Sequence, residues 1–124
     1  MAAERDDLVY VRHMRDACRK ALRYATRFDR EGFLADEAIQ DATIRQLEVL
    51  GEASGRVGVP FRGDHPEVPW AITKRTRNFL IHDYASVSAA IIWDTVHTDL
   101  PGLLRALDRI LDQGPGPSGL DSAN

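Results

Sequence analysis

The chain has 124 residues, 44% of them apolar, and a formal net charge of −3 at pH 7. This suits one domain with a modest core and is too short for two ordinary ones. The totals exclude a globally basic nucleic-acid coat protein, an intrachain disulfide (Cys18 is the lone cysteine) and a membrane span, since no apolar run approaches ~20 residues. With no recognisable signal segment, a reducing cytoplasm is the expected setting.

Strand signals are weak, and helical periodicity dominates. The first helix is expected from about Glu4 to Arg27, with Leu8, Val11, Cys18, Leu22, Ala25 and Phe28 on its buried face. Arg12, Arg15, Arg19, Arg23, Arg27 and Arg30 form a stripe on the other side. Residues 1–30 hold eight basic and five acidic side chains, and the remainder eight and fourteen, so the charge is asymmetric. This stripe is either a solvated face or a contact for RNA phosphates, with Arg12, Arg15, Arg19 and Arg23 as its candidates.

Asp29 to Asp36 reads as a turn anchored by Phe33 and Leu34. A second helix follows, roughly Asp36 to Val57, with Asp36 as N-cap. Ile39, Thr43, Leu47, Leu50 and Ala53 mark its buried face, while Arg45, Glu48 and Glu52 form a surface ladder or border a site. Gly55 to Pro69 reads as a loop. His65 within it lacks the companions of a metal site, and no metal or cofactor is expected. Pro69-Trp70 opens a third helix that runs to about Ile81. Ser86 or Ser88 caps a fourth containing Ile91, Ile92, Trp93 and Val96. Asp99 and Pro101 then open a further helix or kink one long helix. His97, three residues after Asp94, reads as half of a surface pair. The expected whole is an all-α antiparallel bundle of four to five helices over residues 1–113, followed by a disordered Gly/Pro/Ser-rich tail, 114–124.

The stretch of greatest chemical interest is Thr76-Arg77-Asn78-Phe79-Leu80-Ile81-His82-Asp83-Tyr84. On a continuous helix position 82 lies roughly 140° around from position 77, so Arg77, His82 and Tyr84 converge within one chain only if the helix ends near His82. Arg is a fixed positive fork suited to phosphate, His exchanges protons near neutral pH, and Tyr donates a hydrogen bond or carries a covalent group. RNA brings its own nucleophile, the 2′-hydroxyl, so such a set suits metal-free phosphodiester cleavage. That reaction wants both a base and an acid, and the stretch holds one His; a two-fold dimer would supply the second. The plainer alternative is a helix C-terminal cluster bonding the last carbonyls, and the chemistry alone leaves the two level.

Arg77, four residues, His82, one residue, Tyr84 is similar to the Arg-x4-His-x-Tyr motif of HEPN domains. Gln40-Asp41-Ala42 through Arg45, Gly51-Glu52-Ala53, Pro66-Glu67-Val68-Pro69-Trp70, Ile92-Trp93 and Asp99-Leu100-Pro101 extend the likeness over about residues 5–112. The chain resembles the HepT-like branch, the HEPN half of the MntA–HepT type VII toxin–antitoxin module. Thr76 departs from it, at a position usually apolar. The resemblance implies a dimeric helical bundle with the two motifs in a shared cleft, acting as a metal-independent ribonuclease toxin. It implies catalytic roles for Arg77, His82 and Tyr84, with Asn78 and Asp83 in support. It further implies a partner, a minimal nucleotidyltransferase antitoxin that transfers AMP onto Tyr84. An inactive RNA- or nucleotide-binding module, or a structural partner of the nucleotidyltransferase, are the competing readings.

Overall fold

The computed structural model describes the backbone of residues 2–83 and 88–113, and within these the side chains of 6–78 and 88–113. Tyr84, Ser86 and the expected tail lie outside the described residues. Every regular element among the described residues is helical: α1 Ala2–Ala25, α2 Arg30–Ala35, α3 Glu37–Arg56, α4 Val59–Asp64, α5 Trp70–Asp83, α6 Ala89–Asp94 and α7 Leu100–Gln113. A π-helical turn, Thr95–Asp99, joins α6 to α7. The all-α expectation holds, and the two stretches read as turn and loop each contain a short extra helix.

Local chemistry accounts for both. Asp29 caps α2, its side chain accepting from the Gly32 N–H at 2.8 Å, and Phe33 is driven into the core. Pro60 stands in the first turn of α4, where its missing N–H costs nothing, and Phe61 is buried. Asp36 caps α3 as expected, accepting from Ile39 N–H at 3.0 Å. Ser88 caps α6 through Ile91 N–H at 3.2 Å.

α1 lies between α3 and α7, and α5 packs on α3. Asp7 at the start of α1 accepts from Gly58 N–H just past the end of α3, at 2.8 Å, so α1 and α3 run antiparallel. α3 and α5 are antiparallel too, since Ser54 meets Thr73 while Gly51 meets Arg77. The core is a layer of Val11, Met14 and Ala21 from α1, Leu47 and Leu50 from α3, and Leu103 and Leu107 from α7, all fully buried. Thr76 is buried as well, and its hydroxyl returns to the Ile72 carbonyl at 2.9 Å, which is how a polar residue is tolerated there.

Three expectations are corrected. Phe28 is 37% exposed, because α1 stops at Ala25 and residue 28 falls in a turn. α5 continues to Asp83 rather than Ile81, so His82 and Asp83 are helical. His97 is not paired with Asp94; its ring stacks on Trp93 at 3.8 Å and Nδ1 lies 2.9 Å from the Trp93 carbonyl. Residues 89–113 form one continuous helical run broken only by the π turn. Pro101 supplies the cause: it has no N–H to give and its ring crowds the carbonyl four residues back, so the ladder widens just ahead of it.

The depth of burial sets expected costs. Leu103→Ala should destabilise the fold by roughly 2–5 kcal/mol, whereas Val59→Ala at an exposed position should stay within about 0.5 kcal/mol, both read from urea denaturation midpoints.

Candidate functional site

α5 is fixed at its start by a small polar knot. Pro69 stands just ahead of it, its carbonyl accepting from Ile72 N–H at 3.0 Å. The Trp70 indole N–H donates to the His65 carbonyl at 2.9 Å. The His65 ring packs on Phe61 at 4.4 Å, and its Nδ1 meets Glu67 Oε2 at 3.1 Å. The hydrogen bond from its own backbone N–H, with that to His65, holds the Glu67 carboxyl below the usual carboxylate range. His65 is therefore an anchor for α5.

Midway along, the Ser54 and Thr73 hydroxyls share a buried hydrogen bond of 2.6 Å between α3 and α5. One turn further Arg77 lies directly on α3. A Cβ added to Gly51 would stand 2.8 Å from Arg77 Cβ and 3.1 Å from its Cα, so the backbone of α5 rests on a bare helix surface. A Cβ on Gly55 would stand 3.8 Å from Arg77 Nε and Cζ. The Arg77 stem thus runs along α3 toward its C-terminal turn, whose free carbonyls favour a cation, and the residue remains exposed. Asn78 beside it is exposed. The register of α5 puts position 82 roughly 140° around the helix from position 77. Of the expected site residues, Arg77, Asn78, His82 and Asp83 therefore share one helix, and Tyr84 follows it in sequence.

Of the expected arginine stripe, Arg12, Arg15, Arg19 and Arg23 lie on α1, whereas Arg27 falls in the turn after it and Arg30 opens α2, because α1 stops at Ala25. Arg12 and Arg23 are exposed, Arg15 Nε pairs with Asp16 at 3.3 Å, and Arg19 reaches Asp108 on α7 at 3.2 Å. The stripe thus borders α7, whereas Arg77 borders α3. His13 sits on another side of α1, edge-on to Tyr10, in a cleft of about 210 Å³ lined also by Glu52, Ala53 and Arg56. Arg45 pairs with Glu48 at 3.6 Å as the expected ladder, but Glu52 turns to this cleft. Among the described residues no group of three or more His, Cys, Asp or Glu is placed to hold a metal ion, and no helix is long and apolar enough to cross a membrane.

The family model described as "Ribonuclease HepT-like" matches residues 14–110. The chain belongs to the HepT-like ribonuclease family. Its match spans α5 with Arg77 and His82, and also Tyr84. A protein named "Probable ribonuclease HepT" from Thermococcus cleftensis is 41% identical over 80 residues, covering 64% of this chain and 73% of that protein. "Putative RNase TTE0752" from Caldanaerobacter subterraneus subsp. tengcongensis is 32% identical over 104 residues, 84% of this chain and 93% of that one. No solved structure matches the chain.

Gly51 and Gly55 escaped the sequence reading as contacts of Arg77. Their signal was present: two glycines four apart inside a helix, each costing about 1 kcal/mol relative to Ala, call for a packing reason. Cys18, expected on the buried face of the first helix, is fully buried, and burial, with Asp108 nearby, pushes its thiol up to about 12. It should resist iodoacetamide at mildly alkaline pH in the native protein and react once urea unfolds the chain, which intact mass will show.

Proposed function

We propose that this HepT-like chain is a metal-independent endoribonuclease that acts as a homodimer and serves as the toxin of a type VII toxin–antitoxin pair. The carrying observation is an exposed arginine, Arg77, set against the C-terminal turn of α3 on the same helix as His82, in a chain of a ribonuclease family.

The chemistry follows from the residue types. A base removes the proton from a ribose 2′-hydroxyl, and the 2′-oxygen attacks the adjacent phosphorus. The Arg77 guanidinium stabilises the charge that builds on the phosphorane oxygens. The bond to the 5′-oxygen breaks as an acid returns a proton to it, leaving a 2′,3′-cyclic phosphate and a 5′-hydroxyl. His82 is the proton carrier, and its copy in a two-fold partner supplies the second role. The 140° separation of positions 77 and 82 on one helix favours such sharing, since one copy offers the two residues on different faces.

Tyr84 completes the site and is where control acts. A partner nucleotidyltransferase transfers AMP from ATP to the Tyr84 oxygen, releasing pyrophosphate. The added group is bulky and anionic, so it fills the cleft and repels RNA phosphates. Asn78 and Asp83 give polar support. Arg12, Arg15, Arg19 and Arg23 contact the RNA backbone further out; the surface pairs of Arg15 and Arg19 are worth little and exchange readily for phosphate.

The purified chain should cleave RNA in EDTA, with His82→Ala reducing the rate by about 10²–10⁴-fold. Tight RNA binding without cleavage by the unmodified protein would overturn the enzymatic reading in favour of a binding module. Incubation with ATP and a partner nucleotidyltransferase of this class should raise the intact mass in AMP-sized steps, and Tyr84→Phe should abolish the gain. A gain that survives in Tyr84→Phe moves the modification elsewhere.

A further inference from the structure

We infer that Gly51 is a positioning residue for Arg77, with Gly55 completing the track on which the guanidinium lies. The inference rests on the catalytic reading of Arg77 given above.

The geometry is specific. Gly51 is buried, and the atoms a Cβ there would strike are Arg77 Cβ at 2.8 Å, Cα at 3.1 Å and Cγ at 3.4 Å. The first two belong to the root of the side chain and the backbone of α5, so no rotamer change relieves the collision. α5 must retreat from α3, and Arg77 retreats with it. A Cβ at Gly55 would meet Nε and Cζ at 3.8 Å, an ordinary contact, but anything longer would occupy the guanidinium's place. The two glycines therefore do different things. Gly51 sets how close the Arg77 backbone comes to α3, and Gly55 leaves room for its head.

The helix accepts a cost for this. Each interior glycine weakens α3 relative to Ala. The buried Ser54–Thr73 hydrogen bond holds the same two helices together one turn away. At residue 51 the Cα and Cβ of Arg77 leave no room for a side chain, and the Arg77 stem lies on the space so kept bare. A free Arg side chain samples many rotamers and loses that freedom when it is fixed. A stem laid along a glycine track has surrendered part of that freedom before substrate arrives, which is the preorganisation an electrostatic stabiliser needs.

The test is steady-state cleavage of a fluorescent RNA oligonucleotide in EDTA by full-length variants. Gly51→Ala should lower kcat by about 10²-fold with KM little changed, the scale of a 1 Å misplacement of a catalytic group. Gly55→Leu, at an exposed position, should lower kcat in the same manner and keeps the inference testable if Gly51→Ala folds poorly. Gly63→Ala, where an added Cβ meets nothing within 4 Å, makes the same chemical change away from Arg77 and should keep kcat. In an Arg77→Ala background Gly51→Ala should add nothing, because its effect passes through the missing guanidinium. Wild-type kcat in Gly51→Ala or Gly55→Leu, with kcat of Arg77→Ala strongly reduced, overturns the positioning role and leaves the site intact. An equal kcat loss from Gly51→Ala in both backgrounds also overturns it, in favour of a general packing role. Full activity in Arg77→Ala removes the catalytic reading itself and the inference with it.

Discussion

The constraint on which the candidate site depends is the close approach of α5 to α3. It is made at two levels one turn apart: a buried hydroxyl pair, Ser54 and Thr73, and a bare patch of helix at Gly51 beneath Arg77. The hydroxyl pair fixes register, because a shift along the axis would strip the buried Ser54 hydroxyl of its partner while Thr73 kept its bond to the Trp70 carbonyl, and an unmade buried hydrogen bond costs more than a made one gains. The glycine fixes distance. Since α3 is itself locked to α1 by the shared core and by Asp7 at the Gly58 N–H, the position of Arg77 is referred through α3 to the whole bundle.

The second anchor of α5 is remote from the chemistry and local in sequence. Phe61, His65, Glu67 and Trp70 are all within ten residues, and they tie the helix start to α4 by one indole hydrogen bond, one ring contact and one imidazole–carboxylate contact. A helix held at its origin and again at Thr73 delivers its distal half in a defined direction. The long run from Ala89 to Gln113 shows the same economy: a Pro that would break a helix is accommodated by a π turn, and Trp93 and His97 stack across that turn.

How much of this was legible follows from the range of each interaction. Asp36 as N-cap, Ser88 as one of two candidate caps and the apolar faces of α1 (Phe28 apart) and α3 follow from local periodicity and capping, and the structure agrees. α2 and α4 were read as turn and loop because six residues are too few for a periodic signal to stand out from Gly and Pro. Phe28 was misplaced because periodicity does not say where a helix stops. His97 was paired with Asp94 by spacing alone, whereas the stacking surface of Trp93 captured it. At the site, the residue types and their spacing in 77–84 were legible. The glycine contacts of Arg77 were not, because they depend on which face of α3 meets α5, a tertiary fact. The likeness to HepT-like proteins rested on the whole ordered set of segments, and the family match over residues 14–110 bears it out.

The claim at the centre of the account is that the RNA's own 2′-hydroxyl attacks the phosphorus, with side chains of this fold moving the protons. The nature of the cut ends tests it most directly. RNA incubated with the purified chain in EDTA should yield fragments ending in 2′,3′-cyclic phosphate on one side and 5′-hydroxyl on the other, and a substrate with 2′-deoxyribose at the cut position should remain whole. Fragments carrying 3′-hydroxyl and 5′-phosphate ends, or cleavage of the deoxy-substituted strand, would contradict it.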